Sequence, residues 1–139
     1  PSHGTIKVDG HKLDEVPLNA AFIGPYTEII EEFTLREFLK FHSTFKNPIC
    51  SIEEMAEAAS LPLDKQITDF STGMKQRSKL ITAFFFANDA IFMDEPTSNL
   101  DEEGFNWWQS ELDRLQNGIL MLASNDSREI AVTTKRLKL

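Results

Sequence analysis

Phe70-Ser71-Thr72-Gly73-Met74-Lys75-Gln76-Arg77, an apolar helical run, and then Ala90-Ile91-Phe92-Met93-Asp94-Glu95-Pro96-Thr97 form the stretch whose reading decides the fold. The first segment sets a small hydroxyl and a glycine at the start of a helix read as Met74 to Asn88. A helix start carries N–H groups without intrahelical partners, and anions settle there for dipolar and hydrogen-bonding reasons. The second segment is a short apolar run of strand type that stops at two carboxylates. Carboxylates at the carboxyl end of a buried strand lie where open α/β sheets place their ligands. Ser98-Asn99-Leu100-Asp101 then turns the chain into the next helix.

Working outward, Ala20-Ala21-Phe22-Ile23-Gly24 reads as a buried strand, and Ile119-Leu120-Met121-Leu122-Ala123 as another. Thr34-Leu35-Arg36-Glu37 and Ser51-Ile52-Glu53-Glu54 are capping boxes: a hydroxyl accepts from the helix start and a glutamate three residues on reaches back. The first opens a helix carrying Phe38, Leu39, Phe41 and Phe45, with His42 on its surface; the second opens a helix through Ala59 that ends near Leu61-Pro62. Phe105, Trp107, Trp108, Leu112 and Leu115 mark an amphipathic helix with Asn117-Gly118 as its C-terminal stop. At the chain's start, Ile6 and Val8 alternate as a strand closed by the turn Asp9-Gly10, and Leu137-Lys138-Leu139 reads as a last strand. His3 and His11 lack cysteine or carboxylate company at ligand spacing and read as surface residues. Strands and helices therefore alternate in α/β fashion, with a helical insertion in the middle.

The length of 139 residues suffices for a core that buries roughly two-thirds of the unfolded surface. A net charge of −8 argues against a nucleic-acid surface, which needs clustered Lys and Arg. One cysteine, Cys50, excludes an internal disulfide framework and suits a reducing compartment. No apolar run approaches a membrane span, and the opening has no basic region followed by an apolar stretch. The chain begins at Pro1 without an initiator Met, and is expected to be a stretch of a longer polypeptide.

Phe70-Ser71-Thr72-Gly73-Met74 resembles the signature motif of ABC-type ATPases, usually Leu-Ser-Gly-Gly-Gln, and Lys75-Gln76-Arg77 resembles its basic continuation. Ile91 to Thr97 resembles Walker B with the catalytic glutamate attached, and Ser98-Asn99-Leu100-Asp101 resembles the D-loop. Ser124-Asn125-Asp126-Ser127-Arg128-Glu129 is similar to the H-loop, with Asn125 at the histidine position. Pro1-Ser2-His3-Gly4 to Gly10 is similar to the segment that follows the Walker A helix, and none of the six glycines supplies a Gly-rich phosphate loop. The glutamine of the Q-loop falls at about Pro25, which has no side-chain amide.

The resemblance implies a P-loop NTPase-like α/β fold, a mostly parallel sheet with an inserted helical subdomain. Residues 1–26 would belong to the RecA-like core, 27–70 to the helical subdomain, and 71–139 to the signature helix and the second part of the core. It implies head-to-tail pairing with a second ATPase subunit, with Ser71, Thr72 and Gly73 facing ATP held by the partner. In the same subunit Asp94 would hold Mg²⁺, Glu95 would orient and deprotonate water, Asn125 would stand at the γ-phosphate, and Ser98 and Asp101 would lie at the subunit interface. The implied function is ATP hydrolysis that powers transport through a separate transmembrane permease subunit, with the chain peripheral on the cytoplasmic face. Alternatives are a non-transport ABC ATPase, a chromosome-maintenance head, for which the short path from Thr34 to Phe70 leaves no long heptad arms, and a degenerate cassette with little turnover, for which Pro25 and Asn125 speak.

Signature and Walker B residues supply only part of an ATP site, because most cradling N–H groups and the phosphate-binding lysine belong to a P-loop. The 139-residue chain is therefore expected to bind MgATP no more tightly than roughly 1 mM, about −4 kcal/mol. Calorimetric titration checks this, and micromolar binding would contradict it.

Overall fold

The computed structural model describes residues 7–8, 11–12, 19–115, 119–133 and 135. A short hairpin, β1 (Lys7–Val8) against β2 (His11–Lys12), precedes a parallel three-stranded sheet in the order β3 (Ala20–Ile23), β4 (Ala90–Asp94), β5 (Ile119–Ala123). The Asn117-Gly118 stop, the Asp9-Gly10 turn and the strand read at 137–139 lie outside the described residues. In register, Ile23 lies beside Met93 and Asp94 beside Ala123, so the three strands end level with one another. A parallel sheet interrupted by a helical segment is the α/β arrangement that the alternation of strands and helices predicts. No helix among the described residues is long and apolar enough to cross a membrane.

Between β3 and β4 run α1 (Leu35–His42), α2 (Ile52–Ala58), a single 3-10 turn (Ile67–Asp69) and α3 (Thr72–Phe84). Both capping boxes form: Thr34 and Ser51 accept from the N–H of Glu37 and Glu54, whose carboxylates reach back to the cap N–H groups. The α1–α2 segment is closed on itself by backbone bonds, with Leu35 and Arg36 donating to Lys65 and Leu63 and Ile67 donating to Phe33. Arg36 spans Asp64 and Glu53 across it, at 2.7 and 2.5 Å. After β4 come α4 (Glu102–Arg114) and, beyond β5, α5 (Ser127–Ala131).

One face of the sheet carries the core. Ala21, Ile23, Ile91 and Met93 alternate onto it and pack with Leu80, Ile81 and Phe84 of α3 and with Trp108 of α4, which is fully buried. Trp108 is thus the core residue that its helical spacing predicts. On the opposite face Phe22, in register with Phe92 and Met121, is 63% exposed.

Three readings change. The α3 helix starts at Thr72 and stops at Phe84 rather than running on to Asn88. Phe84, Phe85 and Phe86 are all buried, and consecutive residues of a helix cannot share one face, so the chain leaves the helix and Phe86 bridges to Pro48. The α1 helix ends at His42, leaving Phe45 outside it and exposed, stacked edge-on against Phe41. The strand at Ile119–Ala123 exists but is not buried: it pairs on one side with β4, and Ile119, Leu120 and Met121 remain exposed among the described residues. An unbroken apolar run reads as two-sided burial, yet it reports only the strand.

His42 is wedged edge-on against Phe86 and beside Phe38, and its buried Nε2 has no hydrogen-bond partner among the described residues. Burial first, and Lys46 second, hold its pKa below the ordinary value. A lowered pKa means that the unfolded chain takes up the proton more readily, so this stability is complete above about pH 6.5 and is lost as the pH falls from there. The melting temperature is expected to drop between pH 7 and 5, and His42→Phe is expected to flatten that drop. Identical pH dependence in the two proteins would contradict the assignment.

Candidate active site

The chemistry gathers where the strands end. Asp94 closes β4, and Glu95 follows it with a φ of 49°, a left-handed conformation that non-glycine residues adopt only when the surroundings hold them. The holding is visible: the Glu95 N–H donates to the Ala123 carbonyl at 2.9 Å, and the Asn125 N–H donates to Glu95 Oε1 at 3.0 Å. Asp94, Glu95 and Asn125 thus meet at one edge of the sheet. Asp94 and Glu95 are half-buried and Asn125 is exposed.

Past Glu95 the chain makes two tight turns. Ser98 N–H donates to the Glu95 carbonyl and Leu100 N–H to that of Thr97. Asn99, again left-handed with φ 69°, turns its carbonyl toward the start of α3, where a Cβ built on Gly73 would sit 2.9 Å from the Asn99 oxygen. Glycine at 73 is therefore required by a close approach to the Ser98–Asp101 loop of the same chain. Asp101 caps α4, accepting from the Gly104 N–H at 2.8 Å. Ser98 and Asp101 are both exposed.

Ser71 is the N-cap of α3, and its hydroxyl accepts from the Met74 N–H at 3.2 Å. The first-turn N–H groups of Thr72 and Gly73 are left at the open helix end, a place that favours an anion. Ser71 and Thr72 are exposed. The site residues named from the sequence thus fall into two groups: the strand-end carboxylates with Asn125, and the start of α3 with Ser98 and Asp101, held together by the close approach of Gly73 and Asn99.

Magnesium accepts one or two carboxylates and completes its octahedron with waters and phosphate oxygens. The described residues hold no cluster of three or more His, Cys, Asp or Glu placed to bind a metal. Asp94, half-buried beside Glu95 at the strand end, fits the role of a single carboxylate donor and not that of an all-protein cage. At the same end of the sheet, after β3, Gly24 to Thr27 forms a turn: Thr27 N–H donates to the Gly24 carbonyl and its hydroxyl accepts from the Gly24 N–H, both at 3.0 Å. Pro25 and Tyr26 are the exposed corners of that turn, and Thr27 spends its hydroxyl as an acceptor inside it.

Two residues near this edge escape a reading of motifs alone. Gln76 is 6% exposed, and its amide donates to the Pro96 carbonyl at 2.7 Å. Glu129 is 1% exposed, and its Oε1 accepts from both the N–H, at 2.9 Å, and the hydroxyl of Thr97. Gln76 had a signal, since it falls on the apolar stripe of α3 with Leu80 and Ala83. Glu129 had a misleading one, because Asp126-x-x-Glu129 has the form of a capping box, yet the carboxylate turns inward to Thr97 instead.

No family model matches the chain. An uncharacterised ABC transporter ATP-binding protein of Bacillus subtilis is 27% identical over 111 residues, 75% of this chain and 51% of that protein. The chain thus spans about half the length of this relative. Among solved structures, one titled as the ATP binding subunit of an ABC transporter has a TM-score of 0.72 at 22% identity, over 90% of this chain and 58% of that one. A dimeric ATP-binding cassette in a post-hydrolysis state, bound to ADP and Pi, has a TM-score of 0.75 at 17% identity, over 92% of this chain and 65% of that one. Likeness in sequence and likeness in fold agree: both are to ABC-type ATP-binding proteins.

Proposed function

We propose that this chain belongs to an ATP-hydrolysing subunit that powers an ABC transporter, acting through a separate membrane permease on the cytoplasmic face. The observation that carries the reading is the Asp94–Glu95 pair at the level end of a parallel sheet, with the Glu95 carboxylate steadied by the Asn125 N–H. Glu95 orients the attacking water and takes its proton, which is the role of a positioned general base. Asp94 supplies one oxygen to Mg²⁺, and the ion, when bound, neutralises charge on the phosphate oxygens. Asn125 offers an amide that hydrogen-bonds a phosphate but cannot carry a proton charge.

The open start of α3 serves a different ATP. Ser71, Thr72 and Gly73 face the nucleotide of a second subunit in a head-to-tail pair, and Ser98 and Asp101 lie against that subunit. Exposure of Ser71, Thr72, Ser98 and Asp101 supports an arrangement in which these residues wait for a partner. Residues 27–70 act as the helical subdomain between the core segments 1–26 and 71–139, which the backbone closure between 31–36 and 63–68 supports. A second reading, a cassette that binds nucleotide with little turnover, is favoured by Pro25 standing at the corner of a closed turn, where no amide reaches toward the site.

The two readings part on one substitution. In the full-length protein that carries this chain, Glu95→Gln keeps the side chain's shape and removes the proton acceptor, so turnover is expected to fall about 10²–10⁴-fold with ATP binding retained. Steady-state ATP hydrolysis and equilibrium nucleotide binding check this. Turnover equal to that of the unaltered protein would remove Glu95 from the mechanism.

A further inference from the structure

Glu129 and Gln76 present an energetic problem that the fold alone does not solve. A carboxylate buried to 1% exposure is costly unless it is paired and hydrogen-bonded. Among the described residues Glu129 forms no ion pair, and its Oε2 has no partner. An apolar side chain of similar volume would fill the same space at lower cost. What an apolar side chain cannot do is accept twice from Thr97, from its N–H and from its hydroxyl, and so fix both the peptide plane and the rotamer of that residue. Gln76 does the complementary thing from the other side, donating its buried amide to the carbonyl of the preceding residue, Pro96.

We propose that Gln76 and Glu129 are positioning residues for Glu95, clamping the two residues that follow it from α3 and α5. The proposal rests on the reading of Glu95 as the group that activates water. Glu95 is left-handed, and a strained conformation persists only when its surroundings over-determine it. Its own N–H and carboxylate are tied to Ala123 and Asn125, and the clamp fixes the chain just beyond. The two arms reach the clamp from informative places. Gln76 lies in the second turn of the helix whose open end carries Ser71 and Gly73, and Glu129 lies one helical turn beyond Asn125. A shift of either segment is therefore delivered to the Glu95 turn through buried hydrogen bonds, one from Gln76 and two to Glu129.

The test is steady-state kinetics of the full-length ATPase that carries this chain, with kcat and KM for MgATP measured separately per folded enzyme. Gln76→Leu, Glu129→Gln and Thr97→Val each remove part of the clamp. Each is expected to lower kcat by about tenfold to 10²-fold, the scale of a misplaced reacting group, with KM little changed. Thr97→Ser keeps both donors and is expected to retain the unaltered kcat. In a Glu95→Gln background the same substitutions are expected to cost no further turnover, because residues that act as a unit are not additive. Thr97→Val preserves shape, so it remains informative if Glu129→Gln fails to fold. Unaltered kcat in folded Thr97→Val and Gln76→Leu, or a full additional loss in the Glu95→Gln background, would overturn the proposal and leave these side chains a purely structural role. If Glu95→Gln alone left turnover intact, the reading of Glu95 would fail first and take the inference with it; if Glu95→Gln lowered turnover and the clamp variants did not, only the inference would fail.

Discussion

A glutamate in a left-handed backbone conformation at the end of a parallel strand is the constraint from which the described structure hangs. Such a residue costs energy on its own, and four separate contacts offset that cost: strand β5 through Ala123, the following loop through Asn125, α3 through Gln76 and α5 through Glu129. Each contact comes from a different element, so the turn is correct only when sheet and helices are all in place. The core side of the sheet makes that possible. Ile91 and Met93 anchor β4 against α3, and the register with β3 and β5 brings three loops to one edge.

The same economy links the two halves of the site. Gly73 has no side chain because the Asn99 carbonyl leaves no room for one. The start of α3 and the Ser98–Asp101 loop consequently lie in close contact, and a side chain at 73 would displace the loop. A carbonyl within the chain is thus by itself sufficient reason for a glycine at this position.

Much of this was legible in the sequence because it depends on local chemistry. The capping boxes at Thr34 and Ser51, the strand that stops at Asp94 and the core position of Trp108 each follow from residue type and spacing, and each stands where it was read. The misreadings share a cause. Phe84 to Phe86 and Ile119 to Met121 are apolar runs, and an apolar run does not say how many of its faces find a partner; the first is buried so completely that it ends a helix, and the second stands open. The Glu129–Thr97 contact spans 32 residues, and no local pattern announces a contact of that range. Only its cost, a carboxylate in a buried place, marks it once the coordinates are known.

Amide hydrogen exchange across β4 and the turn that follows measures the central claim most directly, since it reads the rigidity of the Glu95 turn without any ligand or partner. The Glu95 and Thr97 N–H groups, bonded to Ala123 and Glu129, are expected to exchange as slowly as those of the core strand. The Asn99 N–H, in the exposed loop two residues on and without a hydrogen-bond acceptor among the described residues, should exchange much faster. Exchange of Glu95 and Thr97 at the rate of Asn99 would show that the turn is not held, and the account of this site built on it would fail.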